Sequence, residues 1–200
     1  MDSTIKKLGL AVALTLFIAV SVHAQDVTVW KVDKAHTSVN FSVNHFFSAV
    51  TGKFTIFNGN FNFDTNNLKE SNVDFTVSIK SVNTDNAKRD KHLQSGDFFD
   101  ANTYPNLVFK SFKIEMKSDN EYLIHGKLTI KDKTKEVILP MKITGKMVHP
   151  MKKNTLLMGI VINTTINRTD FGIGTGDWAT TMVVGNEVRI HIPMELNSKK

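Results

Sequence analysis

Residues 71–80 read SNVDFTVSIK, and this stretch has the clearest alternation of apolar and polar residues in the chain. Its apolar side chains stand at every second position, and the positions between them are polar: Val73, Phe75, Val77 and Ile79 alternate in this way. A period of two with one polar face is typical of an antiparallel strand whose other face covers a core. The stretch therefore predicts a half-buried β-strand.

The same alternation continues on both sides, in segments 37–45, 54–63, 107–116, 122–130, 137–143, 156–166 and 188–196. Changes of parity beside Gly59 and at positions 110–111 predict β-bulges or bends, which curl a sheet. Asp132 and Lys133 predict a tight hairpin turn. Eight strands without a βαβ pattern predict an all-β fold, an eight-stranded antiparallel barrel, with a β-sandwich as the competing architecture.

Segment 84–105, TDNAKRDKHLQSGDFFDANTYP, departs from this alternation. It brings the charged run 88–92 close to two adjacent phenylalanines. Asp85 or Asn86 can cap the start of a short helix that ends by Gly96. We therefore expect a short helical crossover segment around residues 85–100 between two strands of the barrel.

The first 24 residues have the composition of a secretory signal peptide. Lys6 and Lys7 precede an apolar run over 8–22, and a small residue, Ala24, follows at the expected cleavage site. The run is shorter than the ~20 residues that span a bilayer. The sequence therefore predicts a signal peptide over 1–24, one domain over 25–200, and a periplasmic or secreted protein without stable membrane insertion after cleavage.

Composition and motif spacing argue against several functional classes. The formal net charge of +6 is spread along the chain, without the clustered basic and aromatic residues typical of nucleic-acid binding. The chain has no cysteine, which excludes disulfides, thiol chemistry and cysteine-based zinc sites. The histidines are scattered, and no HExxH or GxSxG motif occurs. We therefore expect no catalytic residue, no metal site and no nucleic-acid partner.

The apolar strand faces are rich in phenylalanine, and an elongated apolar ligand would fit a lumen lined by them. Inward phenylalanines also form ordinary cores, so spacing alone leaves open whether the barrel is hollow or filled. The predicted lumen wall consists of Phe41, Val43, Phe54, Phe61, Phe63, Phe75, Val77, Phe109, Phe112, Leu128, Ile130 and Ile162.

Two groups of charged residues are candidates for the mouth of the barrel. Arg168 follows the inward parity of its strand, and it either meets a ligand or pairs with Asp170 to hold a loop. Arg89, Asp90 and His92 form the second group, and they either fix the crossover segment to the barrel or meet a ligand head group. A guanidinium suits a phosphate or another polar head group, because its planar fork donates two parallel hydrogen bonds. The predicted mouth residues are His36, His45, Arg89, Asp90, His92, Arg168 and Asp170.

Motifs in a fixed order over most of the chain resemble those of one known family. They include Asp33-Lys34-Ala35-His36-Thr37, Ser48 with Gly52 and Phe54, Arg89-Asp90 with His92-Leu93, Asp97-Phe98-Phe99, Tyr104-Pro105, Gly126-Lys127-Leu128-Thr129-Ile130, and Arg168 with Asp170-Phe171-Gly172. The sequence is similar to the YceI-like family, the periplasmic lipocalin-like proteins that bind polyisoprenoids. The likeness covers residues 33–196.

The resemblance implies an extended lipocalin-like barrel that holds a long isoprenoid chain in its lumen and can form a homodimer. The expected function is therefore a periplasmic or secreted binder or carrier of a long-chain isoprenoid or similar amphiphilic lipid, with no cofactor other than the lipid. Two alternatives stay open. One is an enzyme that acts on a prenyl-phosphate or lipid substrate through His92, Arg89 and Asp90, and the other is a stress-response scaffold.

Overall fold

The computed structural model describes residues 27–199, so the predicted signal peptide and its cleavage site lie outside the described residues. One α-helix, α1 (Ala87–Leu93), accompanies eleven strands. The strands are β1 Val29–Asp33, β2 Val39–His45, β3 Ser48–Phe54, β4 Phe57–Asn62, β5 Asn72–Ser78, β6 Val82–Asn83, β7 Asn106–Ser118, β8 Glu121–Ile130, β9 Lys133–Val148, β10 Thr155–Asn167 and β11 Val184–Lys199.

The strands form one closed antiparallel barrel. β11 pairs with both β1 and β2. β1 pairs on its other side with β4, and β4 pairs with β5. In the same way, β2 pairs with β3, and β3 pairs with β6. Each of the couples β1 and β2, β4 and β3, and β5 and β6 is therefore one broken strand, and the eleven short strands occupy eight positions in the barrel. The pairing of β1 with β11 closes the ring. The predicted eight-stranded antiparallel barrel is confirmed.

Of the two bends predicted from parity, one lies close to its predicted position and the other does not. In β7 the register shifts between Ser111 and Lys113, so the extra residue is Phe112, within two positions of the predicted bulge. Gly59, by contrast, lies in regular pairing within β4, and the break falls earlier, between Phe54 and Phe57. The ring of Phe75 lies 2.5 Å from where a Cβ of Gly59 would stand, so close packing explains this glycine.

The crossover segment has the predicted helix. The side chain of Asn86 caps α1 by accepting a hydrogen bond from the backbone N–H of Arg89. The hairpin turn between β8 and β9 lies one residue earlier than expected. Lys131 and Asp132 form it, and Lys131 takes a left-handed conformation with φ of 56°.

Side chains fill one end of the barrel. We call this the closed end, and its fully buried members include Trp30, Phe61, Ile124, Met158 and Leu196. The opposite end, which we call the mouth end, carries a separate small cluster formed by Phe98, Ile130, Phe171 and Ile173. The barrel interior is thus solid near the closed end, and a cavity separates this solid part from the mouth cluster.

Gly126 in β8 is the clearest case of a glycine required by a close approach. A Cβ at this position would lie 2.3 Å from the Phe109 ring and 2.6 Å from the carbonyl oxygen of Lys110. The Phe109 side chain therefore occupies the space that a residue 126 side chain would need, beside the bulge at Phe112. Gly145 in β9 has no atom within 4 Å of its Cβ position.

These two glycines provide a matched test of the packing. We expect Gly126→Ala to lower the free energy of unfolding by about 1–3 kcal/mol through overpacking. Gly145→Ala is expected to be neutral or stabilising by up to about 1 kcal/mol, because it only restricts the unfolded chain. Urea denaturation of both variants measures the difference. Equal stabilities would contradict the close approach of Phe109 to β8.

Candidate functional site

An apolar cavity of about 190 Å³ occupies the barrel between the closed end and the mouth cluster. Phe61, Val73 and Ile124 contribute to its floor, where it meets the solid core. Its wall includes most of the residues predicted from strand parity: Phe41, Val43, Phe54, Phe61, Phe75, Val77, Phe109, Leu128, Ile130 and Ile162. The barrel is therefore partly filled and partly hollow.

Two predicted wall residues, Phe63 and Phe112, do not line the cavity. Phe63 lies in the solid core, with its ring edge-to-face against Tyr122 at 5.0 Å. Phe112 is 58% exposed, because it is the extra residue of the β7 bulge and its side chain lies on the outer surface. Both predictions were wrong for a physical reason: a bulge reverses parity, and parity does not report depth along the barrel axis.

Two loops close the mouth end over the cavity. The crossover segment contributes His92 and Phe98, and the loop after β10 contributes Trp178, with ring centroids 5.0–5.7 Å apart. The backbone N–H of Thr175 donates to the carbonyl of Asp97 over 2.8 Å and joins the two loops. His92 also pairs with Asp97 through Nε2 at 3.0 Å. These contacts hold the loops together as a roof.

Arg89 and Asp90 both bind Thr84, the residue that follows β6. Arg89 donates from Nε to Oγ1 of Thr84 and from an NH2 group to its carbonyl oxygen, each over 2.7 Å. Asp90 accepts from the backbone N–H of Thr84 at 2.9 Å and from its hydroxyl at 2.6 Å. The pair therefore holds α1 against the barrel, and Asp90 does not line the cavity or its entrance.

Arg168 lies at the end of β10 and is 2% exposed. It donates hydrogen bonds of 2.7–3.1 Å to the carbonyl oxygens of Gly185, Ile173, Thr180 and Val184. Burial lowers the pKa of the Arg168 guanidinium below its ordinary value.

Asp170 is exposed, and within residues 27–199 no carboxylate forms an ion pair with Arg168. Of the two readings that the sequence left open for Arg168, pairing with Asp170 is wrong, because its guanidinium donates to four backbone carbonyls instead. Asp170 also lies outside the cavity wall. Arg168 itself lines the cavity, and its guanidinium also holds the loop before β11 in place.

A second cavity of about 390 Å³, which we call the entrance, adjoins the first at the mouth end. The two share Phe41, Val43, Leu93, Phe98 and Val184. The charged and titratable residues along the entrance are His45, Lys88, Arg89 and His92, and no acidic residue of the described part of the chain lines it. The entrance therefore combines apolar walls with a positive rim, which suits an amphiphile with an electron-rich head.

His36 lies away from the predicted mouth. Its Nδ1 is 3.4 Å from the carboxylate of Asp33 and 3.8 Å from that of Glu195. Glu195 follows Val184, a residue of the mouth end, by eleven positions in β11, which is roughly 36 Å at the usual strand rise. His36, Asp33 and Glu195 are near enough to share a metal ion, but Lys152 also lies 4.0 Å from Asp33. Since the backbone N–H of Ala35 and the side chains of His36 and Lys152 already contact the Asp33 carboxylate, we assign no metal here.

A polar groove of about 630 Å³ crosses the outer face of β10, β11, β2 and β3. Its side chains bind one another: Arg189 donates to Ser42 and Asn44, and His191 pairs with Asn163. The groove is larger than the lumen cavity, but its polar lining does not suit an apolar ligand. The candidate site is therefore the lumen with its entrance.

Sequence reasoning missed several wall residues outside the predicted strands: Leu93 at the end of α1, Phe99, Ile173 and Trp178 on loops, and Val184 at the start of β11. Strand parity cannot identify residues outside strands. One signal was available for Trp178, since it is an aromatic residue within a glycine-rich segment that is otherwise polar.

Comparison with known proteins adds to this geometry. The YceI-like domain matches residues 30–196. This chain belongs to the YceI-like family. A UPF0312 protein of Vibrio parahaemolyticus is 33% identical to this YceI-like protein over 174 residues, covering 86% of this chain and 89% of the relative. Among residues 27–199, no helix has the length and hydropathy needed to cross a membrane.

Solved structures show the same fold. The crystal structure of BcnA from Burkholderia cenocepacia superposes with a TM-score of 0.72 at 28% identity and covers 82% of this chain and 98% of BcnA. A polyisoprenoid-binding domain from Saccharophagus degradans, implicated in plant cell wall breakdown, gives a TM-score of 0.61 at 11% identity, covering 86% and 99% of the two chains. At this identity the second likeness concerns the fold alone.

The role of Arg168 can be tested by exchanging its guanidinium for an ammonium. We expect Arg168→Lys to cost about 3 kcal/mol or more of stability, because several buried carbonyls each lose a donor at ~1–3 kcal/mol. Hydrogen exchange should become faster mainly in residues 172–185. Arg189→Lys on the exposed face of β11 is the control. Unchanged exchange in this loop would contradict the anchoring role.

Proposed function

We propose that this YceI-like protein binds a long-chain isoprenoid or a similar amphiphilic lipid in its lumen and carries it. The observation that supports the proposal most is the cavity itself: an apolar space within the barrel shares wall residues with an entrance that has a positive rim. A tail in the cavity and a polar head near Arg89 and His92 would match both environments. The head group contacts are part of the proposal.

Burial of an apolar chain supplies the driving force. Each five-carbon isoprene unit removed from water contributes up to about 4 kcal/mol, at ~0.8 kcal/mol per carbon, and ordering the chain offsets part of this. The lumen cavity of about 190 Å³ is smaller than the roughly 300–1,000 Å³ of typical ligand pockets. The adjoining entrance of about 390 Å³ brings the combined space into this range, so a long chain would occupy both.

Family membership supports the same class of function. The YceI-like family and its fold neighbours indicate a binding protein rather than an enzyme. The description of the Saccharophagus degradans neighbour names a polyisoprenoid as the molecule bound by that domain. We extend a ligand of this class, but no particular chain length, to the present protein.

The proposed location is the periplasm or the exterior of the cell. The proposal rests on the basic start, the apolar run over 8–22 and the cleavage-like end at Ala24. A carrier of this kind holds its lipid away from water while the lipid is outside a bilayer.

The enzyme alternative has less support from the residues it requires. Arg89 and Asp90 direct their polar groups to Thr84, and Nε2 of His92 pairs with Asp97. A pure scaffold has no need of an apolar cavity beneath a loop roof. Among these functions, lipid binding uses the most features of the site.

The proposal predicts that purified protein releases a long apolar molecule on organic extraction, as measured by mass spectrometry. Leu128→Trp is expected to lower the amount of bound lipid severalfold, because Leu128 lines the cavity and the larger side chain would fill part of it. Phe112→Trp provides the control, since Phe112 lies on the outer surface. Lipid would then be lost in the first variant only.

Two results would count against lumen binding. One is the absence of any extractable lipid from protein purified without detergent, together with no binding of added polyprenol. The other is equal lipid content in Leu128→Trp and wild type. Thermal unfolding of both variants confirms that they remain folded before extraction.

A further inference from the structure

An exposed aromatic tip stands beside the entrance. Phe46 and Phe47 form the two-residue turn between β2 and β3, because His45 pairs directly with Ser48. Phe46 is 55% exposed and Phe47 is fully exposed. The backbone N–H of Phe46 donates to the carbonyl of Val183 over 2.9 Å, which brings the exposed Met182 close to this turn. We call these three residues, Phe46, Phe47 and Met182, the apolar tip.

The turn is an unfavourable place for two phenylalanines. Two-residue hairpin turns favour glycine or asparagine, because the chain must take positive φ. Phe46 has φ of 50°, a conformation that bulky side chains rarely adopt. The Phe46 ring packs edge-to-face on His45 at 4.7 Å but stays more than half exposed, and the Phe47 ring gains no burial within the chain. Strain combined with exposed apolar surface indicates that the tip contacts something outside the chain.

The apolar tip is continuous with the ligand path. Val43 and Val50 lie on the two strands that lead to the turn, and both line the entrance together with His45. Val184, two residues after Met182, lines the entrance and the lumen cavity. An apolar chain leaving the cavity would therefore emerge next to Phe46 and Phe47.

Charge near the tip complements an anionic surface. Lys88 and Arg89 line the entrance, and Lys88 and Lys91 are exposed on α1. Within the described chain the entrance lining contains no carboxylate. Aromatic side chains beside basic residues are typical of segments that rest in the head-group layer of an anionic bilayer. A protruding turn is convex, so it suits a deformable lipid surface better than a pocket on a protein.

We propose that Phe46, Phe47 and Met182 dock this protein on an anionic lipid bilayer, with the entrance facing the membrane. This inference rests on the proposed function, because it gives the bound lipid a route between bilayer and lumen that avoids water. Docking places the rings in the interface and the basic rim of α1 against the head groups. The barrel itself stays outside the bilayer.

The test uses vesicles of phosphatidylglycerol mixed with phosphatidylethanolamine, and vesicles of phosphatidylcholine for comparison. Flotation measures binding of the wild type and of the double variant Phe46→Gly, Phe47→Ser. This variant carries residues that suit a hairpin turn, so its melting temperature should be at least that of the wild type. We expect its partition onto the anionic vesicles to fall about tenfold or more.

The opposite end of the barrel provides a matched control. Met147 and Met151 are exposed near the β9–β10 turn, and Lys152 and Lys153 accompany them, about 40 Å along β10 from the mouth. Met147→Ser with Met151→Ser should leave vesicle binding unchanged if docking uses the apolar tip. Loss of binding in this control but not in the tip variant would overturn the proposal.

Absence of wild-type binding to anionic vesicles would also overturn docking. Lipid extraction from the same preparations separates this outcome from failure of the proposed function. If the protein contains lipid but does not bind vesicles, the proposed carrier function stands and only the docking proposal is overturned. If the protein binds vesicles through the apolar tip but yields no lipid and takes up no added polyprenol, the docking proposal stands and the proposed carrier function is overturned.

Discussion

The pairing of β11 with both β1 and β2 is the constraint on which the rest of the structure depends. β11 is sixteen residues long, and its partner is a strand broken between Asp33 and Val39. Because the first three strands are broken at similar heights, the sheet can curl enough for its edges to meet. Closure satisfies the backbone groups that an open edge would expose, and it creates an interior without requiring side chains to fill all of it.

The division of that interior into solid and hollow parts follows from side-chain size. Trp30, Phe63, Tyr122 and Met158 are buried together at the closed end, where the rings of Phe63 and Tyr122 pack edge-to-face. Towards the mouth several inward residues are short, among them Val43, Val77, Val184 and Val188, and they line the cavity together with phenylalanines. A cavity remains there, and the aromatic residues of the two roof loops cover it instead of filling it.

The charged residues of the mouth owe their positions to structural hydrogen bonds. Arg168 holds the loop before β11 through four carbonyls, while Arg89 and Asp90 hold α1 through Thr84. Arg168 lines the cavity and Arg89 lines the entrance, and no carboxylate among residues 27–199 pairs with Arg168, so both guanidinium groups add positive charge there. Structural anchoring and an electropositive rim are therefore provided by the same side chains.

The sequence alone was enough to predict the antiparallel strands, their number around the barrel, a short helix capped by Asp85 or Asn86, and most of the residues that line the lumen. These features depend on periods of two and on local hydrogen bonds, which neighbouring residues specify. Only the tertiary structure decided that Phe63 is core, that Phe112 is outside, that His36 lies far from the mouth and that Arg168 binds carbonyls. Alternation gives the face of a strand but not depth along the barrel, and partners distant in sequence meet only once the register is set.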